Sequence, residues 1–283
     1  MRVLVTGAGG MLGRDFARAA AYWNHEVVAL THADLDIMDA EAVWRACVRE
    51  APEVVVNCAA YTDVDGAEDD LVGATRINVE GARHVALGAA EVGASIVFPS
   101  TDYVFDGLKG EPYVESDPTR PLSVYGQTKA TGEAETAAAN QRYFIVRSSW
   151  LFGTGGRNFV ETMLALGQDQ GDVVVVRDQV GCPTYTAHLA DALVRLIDTS
   201  AFGIHHIAGG GECSWYEFAQ EIFRQANLEV RTMSMTTAEL SRPAPRPPYS
   251  VLSTERTEAI YLPDWQEGLA SYLAERTEGA VTR

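Results

Sequence analysis

The sequence predicts an α/β protein built on a doubly wound parallel sheet, followed by a smaller C-terminal region. Three observations carry this reading. Short apolar runs alternate with helix-length segments through the first half of the chain. A glycine-rich turn joins the first run to the first helix. Polar, chemistry-bearing clusters follow the third, fourth and fifth runs, and ligands of open α/β sheets bind beyond the carboxyl ends of the strands.

In chain order, residues 2–6 read as a buried strand running straight into Gly7-Ala8-Gly9-Gly10-Met11-Leu12-Gly13 and then a helix to about residue 22. Gly7 would permit the tight turn, Gly10 would let a pyrophosphate approach the backbone, and Gly13 would let the helix pack closely on the sheet. A bare glycine pattern is weak, but a strand before it and a helix after it make dinucleotide binding on a Rossmann-like sheet the specific reading. Further strands are expected over 26–30, 53–58, 95–99 and 143–147, and helices over 40–50, 75–92 and 126–139. Asn57-Cys58-Ala59-Ala60-Tyr61, Ser100-Thr101-Asp102-Tyr103 and Ser148-Ser149-Trp150 then fall at strand ends. Past residue 150 the alternation loosens into a helix over 158–167, a strand over 172–176, helices over 187–199 and 214–226, and a proline-rich loop. The expected division is a dinucleotide-binding region over 1–150 and a mainly substrate-binding region over 151–283, some of whose segments return to the sheet.

Composition narrows the class. At 283 residues and 47% apolar, the chain can bury a large core. No apolar run reaches membrane-span length and Met1-Arg2 leads directly into a strand, so the expectation is a cytoplasmic protein without a membrane partner. The four cysteines lack metal-ligand spacing and are expected to be reduced, with Cys58 in the core. A net charge of −17 argues against a nucleic-acid partner, which would require clustered Lys and Arg. A local cationic exception stands at Arg242-Pro243-Ala244-Pro245-Arg246-Pro247-Pro248-Tyr249-Ser250. This run can be neither helix nor central strand, and its guanidinium groups suit a diphosphate, the alternative being a rigid solvated linker.

Tyr125 and Lys129 lie four residues apart in a helix-compatible stretch and so share one helix face. A phenol titrating near ~10 is a poor acid or base at neutral pH, and a neighbouring cation draws that value down. Lys129 is therefore expected to tune Tyr125 for proton transfer. The spacing alone would equally suit a solvated helix face.

Taken together, these motifs resemble the extended short-chain dehydrogenase/reductases, and within them the dTDP-4-dehydrorhamnose reductases. The resemblance runs through 5–13, Leu35-Asp36-Ile37, 56–62, Ser100-Thr101-Asp102-Tyr103-Val104-Phe105-Asp106-Gly107, Tyr125-Gly126-Gln127-Thr128-Lys129, 147–150, 158–160, 178–184 and 246–250, and so spans nearly the whole chain. It implies reduction of the 4-keto group of dTDP-4-dehydro-β-L-rhamnose, with Tyr125 as general acid, Lys129 lowering its pKa and holding the nicotinamide ribose, and Thr101 hydrogen-bonding the same substrate oxygen.

The cofactor contacts implied are Gly10, Met11 and Leu12 at the pyrophosphate, Asp36 and Ile37 near the adenine, and Ala59, Ala60, Tyr61 and Thr62 along the dinucleotide. Asp36 would otherwise cap the following helix. The second strand ends Leu30-Thr31-His32 with no carboxylate until Asp34, which leaves NADPH open without excluding NADH. On the substrate side the resemblance implies Trp150, Asn158, Gln179 and Arg246; Asp102 would bind sugar hydroxyls or cap a turn. It allows a divalent metal at a subunit interface, though no ligand cluster predicts one, and it leaves a homodimer open.

Related 4,6-dehydratases place an Asp-Glu pair after the threonine, whereas here Asp102 is followed by Tyr103, which weakens dehydration. Two alternatives remain at this stage. One is a reductase of another nucleotide-linked 4-keto-6-deoxy sugar; the other is a non-catalytic dinucleotide-binding subunit resembling the regulatory subunit of methionine adenosyltransferase.

Overall fold

A computed structural model describes residues 1–169 and 171–281. Six strands, β1 (Arg2–Thr6), β2 (Glu26–Leu30), β3 (Val54–Asn57), β4 (Ser95–Thr101), β5 (Tyr143–Ser148) and β6 (Gly203–His206), form one parallel sheet in the order β6-β5-β4-β3-β1-β2. Its inner strands are buried on both faces, which explains their valine-rich, unbroken apolar runs. Side chains alternate between the two faces. Val3, Val5, Val54 and Val56 meet helices α1 (Met11–Tyr22) and α6 (Thr186–Ile197) through Phe16, Leu189 and Leu193. Leu4, Val55 and Ile96 meet α2 (Ala40–Glu50) and α3 (Ala82–Glu91) through Val43, Val85 and Ala89. Each such fully buried Leu or Phe contributes roughly 2 kcal/mol of transfer free energy.

From β1 the chain crosses to β2 on one side and then returns to place β3 on the other. The crevice where the order reverses, between the ends of β1 and β3, is where such sheets take ligands. Helix α6 and strand β6, from the C-terminal half of the chain, complete this layer.

Beside it, Asp172–Val176 pairs in parallel with Arg231–Met235. A second core, built on Phe152, Val160, Leu164, Phe218, Ile222, Leu269 and Tyr272, joins this ribbon to α5 (Phe159–Asp169), α7 (Trp215–Gln225) and α8 (Trp265–Val281). Helix α7 starts sharply because Ser214 and Glu217 close a capping box.

The structure departs from expectation in one instructive place. The helix expected over 75–92 is three pieces: Leu71–Thr75, a π-helical turn Arg76–Gly81, and α3. Within the wide turn, buried Asn78 bonds the neighbouring loop and Gly81 lies against Ile37, where a Cβ would stand 2.6 Å from the Ile37 side chain. The strands 203–206 and 231–235 and helix α8 were not expected; Gly203-Ile204-His205-His206 carries no apolar alternation to announce a strand. All four cysteines are free. Among the described residues no helix is long and apolar enough to cross a membrane, and no three metal-ligating side chains cluster.

Candidate active site

The glycine turn is built on backbone contact. Gly7 sits at φ +64, where only glycine is relaxed, and a Cβ there would lie 2.5 Å from the Ala59 amide nitrogen. A Cβ on Gly13 would lie 2.5 Å from the Gly7 carbonyl oxygen, so the first turn of α1 is pressed onto the loop. Gly10 caps α1 without a side chain, and the first turn carries no acid. The orphan amides of Met11, Leu12 and Gly13 thus remain for an anion at the positive end of the helix dipole.

A cleft of about 540 Å³ opens beside this turn, lined among others by Gly10, His32, Asp36, Ile37, Ala59 and Ala60. A dinucleotide fits this donor set: uncapped helix amides for a pyrophosphate, and a broad apolar slot for a nucleoside. Asp36 spends one carboxylate oxygen on the Met38 amide, while Asp39, not Asp36, caps α2. Tyr61 and Thr62 lie beyond the cleft lining; the Tyr61 backbone is held on both sides by Asn78, whose amide also donates to Thr128 Oγ1 at 3.1 Å. Cys58, expected in the core, is only half-buried and lines the cleft.

Across the sheet ends stand the residues suited to proton transfer. Ser123 caps α4 (Val124–Ala139) by accepting from the Gly126 amide, which fixes Tyr125 in the first turn and buries Lys129 one turn on. Thr101, at the end of β4, caps the 3₁₀ turn Asp102–Val104 by accepting from the Tyr103 amide. Tyr125 is pushed up to about 12, first by burial, with Thr101 drawing it back and the Asp102 charge adding to the rise. This corrects the expected tuning by Lys129. The ammonium instead donates to the Pro99 carbonyl at 2.7 Å and lies 4.0 Å from the Phe98 ring centroid. Burial lowers Lys129 to about 8, opposed by the nearby Glu133 carboxylate. In so dry a site the phenolate is disfavoured, so the phenol keeps its proton, while Lys129 at about 8 remains mostly ammonium at neutral pH.

Glu133 itself is buried and taken by Arg147 through two hydrogen bonds, at 2.7 and 3.0 Å, and by the Ser100 hydroxyl. Asp102, expected to face sugar hydroxyls or cap a turn, shares the turn with Thr101, whose hydroxyl takes the Tyr103 amide; its buried carboxyl accepts from Ser250 and Thr101, pinning the proline-rich loop to the end of β4. Burial raises it to about 7 against the pull of those hydroxyls.

The substrate candidates divide. Trp150, at φ +49, stacks on Trp215 with centroids 3.5 Å apart and planes at 6°. Its ring lies over Gly181, where a Cβ would come within 2.6 Å of it. Gln179 accepts from the Trp215 indole and donates to Thr237. Gln179, Trp215, Phe159, Tyr103, Arg242 and Arg246 line a second pocket of about 360 Å³. Tyr103 links that pocket to the phenol of Tyr125, against which it packs edge-to-face at 5.9 Å. Asn158 does not join them. Its amide donates to the Gly153 carbonyl and its oxygen accepts from the Glu161 amide, so it caps the start of α5.

Sequence reasoning missed Asn78, Tyr103, Glu133 and Trp215 as parts of this site. For Glu133 a signal existed, since it lies four residues beyond Lys129 on the same helix face. For Asn78 the π turn that aims it leaves no sequence trace.

The RmlD substrate binding domain family matches residues 1–278. The chain is 45% identical over 268 residues to the dTDP-4-dehydrorhamnose reductase of Streptomyces griseus, covering 92% of this chain and 88% of that protein. It is 42% identical over 275 residues to the probable dTDP-4,6-dihydroxy-2-methyloxan-3-one 4-ketoreductase of Streptomyces antibioticus, covering 95% and 93%. Among solved structures it is similar to the dTDP-4-dehydrorhamnose reductase of Bacillus anthracis in complex with NADP, with a TM-score of 0.94 at 39% identity, covering 97% of this chain and 99% of that one.

Proposed function

The chain belongs to the RmlD substrate binding domain family, and from that premise we propose that it is an NAD(P)H-dependent reductase converting the 4-keto group of dTDP-4-dehydro-β-L-rhamnose to the alcohol of dTDP-L-rhamnose. A bound nicotinamide cofactor supplies the hydride. The observation that carries the reading is a chain of neighbours: Thr101 hydrogen-bonds Tyr125, Tyr125 packs on Tyr103 of the pocket holding two arginines, and Lys129 lies near Cys58 of the dinucleotide cleft.

Reduction leaves negative charge on the C4 oxygen, and an alkoxide is a far stronger base than a phenolate. A phenol held at about 12 therefore stays protonated at neutral pH and can still give its proton to that oxygen. The Thr101 hydroxyl, which here donates to Asp102, turns its one hydrogen to the same oxygen as charge develops. Lys129, anchored by one N–H on the Pro99 carbonyl, holds the nicotinamide ribose with its remaining donors. Met11, Leu12 and Gly13 hold the pyrophosphate through their amides, Gly10 gives it close approach while its own amide bonds the Gly7 carbonyl, Gly7 shapes the turn, and Asp36, Ile37, Ala59 and Ala60 line the adenosine side.

On the substrate side, Arg242 and Arg246 meet the diphosphate, while Gln179, Phe159 and Trp215 receive the nucleoside and Trp150 borders the sugar. Asp102 and Asn158 act through the chain rather than on the substrate, the first by pinning the 242–250 loop and the second by capping α5.

A second reading rests on the 42% identity to the Streptomyces antibioticus ketoreductase, and replaces rhamnose by another nucleotide-linked 4-keto-6-deoxy sugar. The test is oxidation of NADPH, and separately NADH, by the purified protein with enzymatically generated dTDP-4-dehydro-β-L-rhamnose, the product identified by mass and stereochemistry. Formation of dTDP-L-rhamnose is expected. Turnover of only other 4-keto sugars selects the second reading, and cofactor binding with no turnover of either overturns both.

A further inference from the structure

We propose that Asp65 is the positioning residue that holds Arg242 and Arg246 side by side for the substrate's diphosphate. The proposal rests on the reading of the second pocket as the nucleotide-sugar site. Two guanidinium groups facing one small pocket repel each other, and the loop that carries them has prolines at 243, 245, 247 and 248, so it offers few backbone donors with which to fix itself. One carboxylate does that work. Asp65 accepts from Arg242 Nη1 at 2.8 Å, from Arg246 Nη2 at 3.1 Å and from the Ala244 amide at 3.2 Å. Arg246 turns back onto the Ala244 carbonyl at 2.8 Å, which closes the loop around the acid.

Burial alone would raise the Asp65 carboxyl, but the bonds from Arg246, Arg242 and Ala244 hold it at about 2, so it is charged at any working pH. The Arg246 side chain is 13% exposed and Asp65 21%, so this contact is shielded from water, unlike the Arg242 side chain at 54%. One acid against two arginines leaves a net positive charge at the pocket wall, with guanidinium N–H groups still free for phosphate oxygens. Asp65 stands four residues past Tyr61, on the loop that leaves the cofactor cleft, so the acid comes from the cofactor side and the arginines from the substrate side.

Removing the charge should loosen the arginines and weaken diphosphate binding while sparing the chemistry. Binding of dTDP and of thymidine to the full chain is measured by calorimetry for wild type and Asp65→Asn, together with kcat and KM. The expected result is a dTDP affinity lower by about tenfold with thymidine unchanged, and a raised KM with kcat within about twofold. Unchanged or tighter dTDP binding overturns the proposal, the tighter case marking Asp65 as a competitor for the arginines. An equal loss for thymidine also overturns it, since that would be a general distortion of the pocket. Should Asp65→Asn fail to fold, Asp65→Ser keeps an acceptor for the Ala244 amide and faces the same outcomes. A wild-type chain that does not bind dTDP at all counts against the site reading itself.

Discussion

The cofactor side and the substrate side of this molecule are built by different means. The cofactor cleft is made of backbone: a glycine turn, helix-end amides and the ends of two adjacent strands, with most of its wall drawn from residues 7–77. The pocket proposed for the substrate is made of side chains gathered from five stretches, at 103, 159–166, 174–179, 215 and 235–246, held by indole stacking and by one carboxylate. A backbone site tolerates change in side chains but not in glycines. A side-chain site has the opposite sensitivity, and it can be retuned one contact at a time.

Tyr125 stands at the seam, so its loss should cost the most. Tyr125→Phe is expected to lower kcat by about 10²–10⁴-fold with cofactor affinity nearly intact, as steady-state kinetics and cofactor titration would record. A parallel loss of cofactor binding would place the phenol in the cofactor site instead. Next, Gly13→Val forces a side chain into the 2.5 Å approach of the Gly7 carbonyl. It should weaken cofactor binding by tenfold or more and lower the melting temperature, whereas substrate-side dTDP binding should hold. Equal damage to both would erase the contrast between the two sides.

Trp215→Ala removes the plate on which Trp150 stacks and should raise KM for the nucleotide sugar by roughly fivefold to a hundredfold, with cofactor affinity unmoved. The smallest effect concerns pH. Burial raises Asp102 from an ordinary 3.8 to about 7, so the folded chain keeps a proton that the unfolded chain has released. Its stabilising contribution is full below 3.8 and is lost as pH rises through about 7. Asp102→Asn should therefore flatten the fall in melting temperature over that window, and an unchanged slope would assign the fall to other groups.

The same contrast explains what could be read in advance. Five of the sheet's six strands, the first helices and the glycine turn were legible because strand and helix periodicity and backbone sterics act over a few residues. Tyr125 with Lys129 was legible for the same reason, lying one helical turn apart. The electrostatics between them were not, because they depend on burial and on the Pro99 carbonyl, which folding alone brings to the ammonium. The resemblance pointed Asn158 toward the substrate and Asp102 toward sugar hydroxyls or a cap, whereas the fold engages the first in a helix end and the second in holding a loop. Trp215 and Asp65 gave no local signal, since each acts through partners tens to nearly two hundred residues away.

The parallel sheet also sets a schedule for synthesis. One of its two edge strands, β6, and one of the two helices covering Val3, Val5, Val54 and Val56 come from residues 186–206. Once residues 1–150 have emerged from the ribosome, the face bearing those valines is covered by α1 alone and the edge of β5 is unpaired, and the exposure lasts until some 50 more residues follow. Chaperone demand during translation should peak in that interval and fall once β6 docks.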